Sequence, residues 1–269
     1  MNATTRSGVW ALGLLAAGAA QASCTRVIDV PLANIGASVR FEQGRAQGVY
    51  PTLLREVAAG THCQLSMQQV PRARLQSMFD AGQADVLIPA SATPARDAAA
   101  EFVPLIQVRA SLLTLDGDAS VPRSLAELMA LPDYKLVVVR GFSFGAAYDA
   151  AIATLRQRQR LVEEADAVGV ARALRLGLAP ATIMTASILV GTLVSEPELS
   201  PLLKRLRVEP LEELGWNASG VYLSRRLVDT DRRTLRQAFT QAARAGRTWQ
   251  LFNEHHPPGS LGGSIRPLP

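Results

Sequence analysis

Arg96 closes a polar loop, Pro89-Ala90-Ser91-Ala92-Thr93-Pro94-Ala95-Arg96, that follows a short apolar run, Ala84-Asp85-Val86-Leu87-Ile88. A guanidinium holds a carboxylate by two parallel hydrogen bonds, so an Arg placed there points to capture of a small anion. The run is nearly all apolar and bounded by turn residues, which fits a strand covered on both faces. Loops at the carboxyl ends of such strands are where open α/β sheets bind ligands. A second segment, Arg140-Gly141-Phe142-Ser143-Phe144-Gly145, also lies between a strand and a helix. Gly141 permits close backbone approach, and amides at a helix N-terminus favour anions.

Two α/β units position these loops. The first runs from Thr25 to about Arg109: a strand over 27–32, a loop with Gly36 and Gly44, a helix over 50–60 and a strand over 64–70. An amphipathic helix with Leu75, Met78 and Phe79 follows, stopped by Gly82, and leads into the apolar run. The second unit alternates in the same way: a helix near 124–131, a strand ending at Gly141, a helix over 144–158, a strand over 160–165, a helix over 168–177 and a strand over 181–186. Alternation of this kind predicts an α/β fold. Ser219–Ser224 reads as one more strand and Thr230–His255 as two helices broken near Gly246, while the Pro- and Gly-rich residues 257–269 are expected to be disordered.

The start reads as a secretory signal, residues 1–22: Arg6, an apolar stretch from Val9 to Ala20, and Ala20-Gln21-Ala22 as the cleavage site before Ser23. Cys24 and Cys63 begin the first two strands, which in a parallel pair places both at one end of the sheet, so a disulfide is expected in an oxidising compartment. The alternative is a pair of free buried thiols. The formal net charge of +5 does not point to nucleic acid, because the basic residues are scattered and aromatics are only 5%. No Gly-x-Ser-x-Gly elbow or Cys-x-x-Cys is present, the three histidines do not cluster, and three or four convergent metal ligands cannot be assembled, so no cofactor or metal is expected.

The block 71–105 resembles the family 3 periplasmic solute-binding proteins, the polar amino-acid receptors of import systems. The matching pieces are Gly82 to Asp85, Thr93 to Arg96, and Phe102 with Pro104, and a weaker likeness extends over residues 25–254. The resemblance implies a two-lobed fold of the type II periplasmic-binding-protein kind, with a hinge and an interlobe cleft. Lobe 1 would hold residues 23–109 and 216–256 and lobe 2 residues 110–215, crossing near Arg109–Leu115 and Trp216–Tyr222.

In the family the Thr-x-x-Arg arginine grips the ligand's α-carboxylate, the role implied for Arg96. Ser91 or Thr93 would take the hydroxyl position beside it. Gly141 and Ser143 match the lobe 2 turn, and Arg140 adjoins it. Two departures stand out: Thr185 falls where the family has an Asp for the ligand's ammonium, and Arg72 falls near the family's covering aromatic. The expectation is a monomeric periplasmic binder of a small carboxylate, more anionic than a zwitterionic amino acid, serving an inner-membrane permease and performing no chemistry. The alternatives are a sensory receptor or an enzyme like the periplasmic cyclohexadienyl dehydratases of the same fold, for which Asp29 is the candidate acid.

Overall fold

The computed structural model describes residues 23–115, 121–261 and 263–269; the expected signal, residues 1–22, lies outside the described residues. The first part runs β1 (Ile28–Asp29), β2 (Arg40–Glu42), β3 (Arg45–Gln47), α1 (Val49–Thr61), β4 (Leu65–Ser66), α2 (Arg72–Asp80), β5 (Val86–Ser91), α3 (Pro94–Ala99) and β6 (Ala100–Val108). Next come β7 (Ser111–Leu115), α4 (Leu125–Ala130), β8 (Leu136–Val139), α5 (Ala146–Gln157), β9 (Leu161–Glu164), α6 (Ala167–Arg175), β10 (Ala181–Met184), α7 (Ala186–Ser195) and β11 (Leu206–Pro210). The last part holds β12 (Asn217–Ser224), α8 (Asp229–Arg244), α9 (Arg247–His255) and β13 (Ile265–Arg266).

Two larger sheets result, one in the order β13-β6-β12-β5 and the other β11-β7-β10-β8-β9, beside the two-stranded β1-β4 and β2-β3. β1 and β4 pair in parallel, and the Asp85 amide donates to the Asp29 carbonyl at 2.9 Å, joining them to the entrance of β5. The chain leaves the first sheet between β6 and β7 and returns between β11 and β12. Each sheet is covered by its own helices because its central strands are apolar on both faces; all four residues of β8 and of β10 are buried, for example.

Local chemistry fixes the elements that carry the site. In α2, Leu75 and Phe79 stand one turn apart and are buried against β5, and Gly82 ends the helix at φ +74°. The Gln83 amide reaches back to Met78 O and that of Gly82 to Phe79 O, a Schellman ending that only a residue at ease with positive φ completes. Asp85, the acid of the Gly-x-x-Asp turn, is buried and accepts both Arg26 Nη1 at 2.6 Å and Nη2 at 2.7 Å. Cys24 and Cys63 are bonded across 39 residues at the starts of the paired strands.

Four features differ from the sequence-based expectation. Gln43 and Gly44 turn the expected loop into the β2–β3 hairpin. The loop Pro89 to Arg96 is cut short by α3, because Thr93 caps it and Pro94 sits at its first position. Helix α7 and strand β11 were not foreseen; α7 is buried on nearly every side, so its sequence shows no amphipathic period. The tail expected to be disordered instead adds β13 to the edge of β6, where Leu261 and Ile265 find buried positions.

Candidate ligand-binding site

The carboxyl ends of β5, β8 and β10 converge on one cavity of about 50 Å³, part of its boundary open to solvent. β5 supplies Pro89, Ala90 and Ser91; the turn after β8 supplies Phe142, Ser143 and Phe144; Thr185, Ser187 and Ile188 follow β10. Tyr50 of α1, Ser219 of β12, Phe252 of α9 and Ile265 of β13 close the remaining sides. The Ser91 hydroxyl donates to Ser143 O at 2.9 Å, bridging the two sheets across the cavity. On the far side Gly36, at φ +52°, lies so close to α7 that a Cβ there would stand 2.5 Å from Ile188 O.

Among the described residues, Arg72 is the one charged residue of the lining, and none there is acidic. Its Nη1 donates to Pro89 O at 3.2 Å and its guanidinium stands 5.7 Å from the centre of the Phe142 ring. Burial, and then the nearby Arg96, push its pKa down to about 10, so it remains a cation at neutral pH. Burial raises the pKa of the Tyr50 phenol, which stays protonated beside Ser219. Ser187 Oγ is buried and has no hydrogen-bond partner among the described residues. The cavity therefore offers one cation, several hydroxyls and apolar walls, an arrangement suited to one anionic group on a small organic molecule.

Arg96 does not line the cavity. Its Nε donates to Gln76 Oε1 at 2.7 Å and its Nη1 to Ser91 O at 2.9 Å, so it braces the end of β5. Asp149 and Asp80, whose charges act on it, accept from the Ser143 hydroxyl and from Gln76 Nε2, while Asp97 accepts from the Tyr222 hydroxyl and Glu101 faces Arg232 and Arg236. Burial lowers the Arg96 pKa as well.

Of the other expected residues, Ser91, Ser143 and Thr185 line the cavity, and Thr185 is buried. Thr93 does not; its Oγ1 accepts the Arg96 amide at 3.3 Å as a helix cap. Gly141 also lies outside the lining, with its Cα hydrogen side against α2, where a Cβ would meet Ala73 Cα at 3.1 Å. Arg140 is exposed and donates to Glu163 O at 3.3 Å, so it faces β9. Asp29 is exposed and absent from the lining, because β1 turns Ile28 inward and its neighbour outward. Sequence reasoning missed Tyr50, Ser187, Ser219, Phe252 and Ile265, which come from elements remote in the chain and carry no local motif.

The sequence profile of the bacterial extracellular solute-binding proteins, family 3, matches residues 34–250. Among curated proteins no sequence matches. A putative L-cystine ABC transporter from Listeria monocytogenes superposes with a TM-score of 0.70 at 14% identity, covering 91% of this chain and 100% of that one. A substrate-binding protein of an amino-acid ABC transporter from Streptococcus pneumoniae, solved bound to L-arginine, gives 0.67 at 16% identity over 85% and 94% of the two chains. A histidine kinase sensor domain with similarity to periplasmic binding proteins gives 0.68 at 16% identity over 90% and 98%. At such identities these likenesses establish the two-lobed fold and nothing of the ligand.

Proposed function

The chain belongs to family 3 of the bacterial extracellular solute-binding proteins, and from that premise we propose that it captures a small carboxylate-bearing organic molecule between its lobes and delivers it to an ABC-type importer. One observation carries the choice of ligand: among the described residues the cavity lining has a single charged residue, the cation Arg72, and no acidic residue. The carboxylate pairs with Arg72, which has no carboxylate partner among the described residues, and with the unspent Ser187 hydroxyl. Within this lining a ligand ammonium finds no counter-charge, since Thr185 stands where an acid would serve it. Arg96 holds Ser91 O and so fixes the β5 end of the wall.

Lobe 1 comprises residues 23–109 and 216–256 and lobe 2 residues 110–215, with the hinge at the two crossings between sheets. The protein works in the periplasm after loss of residues 1–22. The disulfide supports an oxidising compartment, and among the described residues no helix is long and apolar enough to cross a membrane. Binding rather than catalysis is supported by the position of Asp29, the one carboxyl considered as an acid, which is exposed and outside the cavity lining.

A thermal-shift panel of organic acids, amino acids, amines and sugars tests this. A ligand at 100 times its Kd stabilises by about 2.7 kcal/mol, so a fitting carboxylate is readily seen. Stabilisation by amines or sugars alone would overturn the proposal.

A further inference from the structure

We infer that the segment after α9, residues 257–269, is a working wall of the ligand cavity, and that Ile265 sets how long a ligand it accepts. The inference concerns the same cavity and rests on its reading as the ligand site.

Ile265 is buried and lines the cavity next to Val108, its partner across the β13–β6 pairing. Its position is held from both sides. Before it, Ser264 O accepts the Arg109 amide at 2.9 Å, at the point where the chain leaves the first sheet. After it, Arg266 stacks over Trp216 with its guanidinium 4.2 Å from the ring centre, just before the chain re-enters that sheet at β12. The segment thus grips both crossings between lobes and inserts one apolar side chain between them. Ser264 is fully buried and Leu261 nearly so, which distinguishes a packed element from a loose end. The family match stops at residue 250, before this segment begins.

Because Ile265 closes the hinge end of a mostly apolar cavity, its size decides how far a ligand's chain extends past Arg72. Ile265→Ala should move the preferred ligand to one longer by one or two carbons, with about a tenfold gain relative to the wild-type favourite. Ile265→Trp should favour the shortest members or exclude all.

Calorimetry with a homologous series of carboxylates reads this directly. An unchanged length preference in both folded variants would overturn it. If wild-type protein instead binds an amine or sugar series, the carboxylate reading fails, and the same variants are judged on the series that binds. Hydrogen exchange supplies a ligand-free arm. A chain ending at His256 should lose protection at the Arg109 amide, and equal exchange with and without the segment would refute its placement.

Discussion

The hydroxyl of Ser91, at the end of β5, donates to the main-chain oxygen of Ser143, in the turn after β8, at 2.9 Å. The bond spans the two sheets, so it exists only when the lobes are together. Ser91→Ala should leave each lobe intact and weaken ligand binding by about 1 kcal/mol through loss of closure. Calorimetry paired with thermal unfolding separates the two, and an equal loss in folding stability without ligand would contradict this role.

Arg72 should dominate affinity. Arg72→Ala removes the only cation of the lining and should cost about 2 to 5 kcal/mol of binding, as for truncation of a buried charge pair. Folding stability should change little, because the guanidinium has no carboxylate partner to lose. Arg96→Ala should act more weakly on affinity and loosen the wall, since its hydrogen bonds go to Gln76 and Ser91 O. Equal or greater loss of binding from Arg96→Ala would reverse the assignment.

Gly36→Ala tests how tightly the lobes meet. With φ at +52° and Ile188 O only 2.5 Å from the added Cβ, the substitution should hold the lobes apart and cost about 1 to 3 kcal/mol of binding. Small-angle scattering with saturating ligand should show a wider particle than wild type; an identical one would contradict the close fit.

The fold was largely legible. Leu75, Met78, Phe79 and the Gly82 stop predicted α2, and the run before Pro89 predicted a buried strand, because local periodicity and turn chemistry act over a few residues. The cavity was legible only where a strand end announced it, as at Ser91, Ser143 and Thr185. Arg96 was assigned to the ligand from a motif; its hydrogen bonds go to Gln76 and Ser91 O at the cavity's edge, while Arg72 lines the cavity from the first residue of α2. Ile265 and Tyr50 meet there through long-range packing that no short pattern encodes.

Acid should destabilise the α9 end. His256 is buried against Phe252, with ring centres 5.4 Å apart, and burial lowers its pKa below the usual 6.5. The unfolded chain then takes up a proton first as pH falls, so the neutral histidine's contribution is complete above about pH 6.5 and is lost below it down to the folded-state pKa. His255, also lowered by burial, acts in the same direction. Melting temperature should fall between about pH 7 and pH 5, and less so in His256→Phe. Parallel profiles would contradict this.

The Cys24–Cys63 bond closes a 39-residue separation, and Cys63→Ala should cost about 4 kcal/mol on the chain-entropy account. Denaturant unfolding of oxidised and reduced protein checks it; coincident midpoints would show that the bond contributes little.

The central claim is that the site takes a carboxylate on Arg72 and offers no partner for an ammonium. Titration calorimetry with a dicarboxylate, the acidic amino acid of the same length, and arginine tests it most directly. The account predicts that the dicarboxylate binds at least as tightly as its amino counterpart and that arginine binds weakest. Tightest binding by arginine would contradict it and would place the cationic group on the other side of Arg72, where Asp166 lines the adjoining pocket.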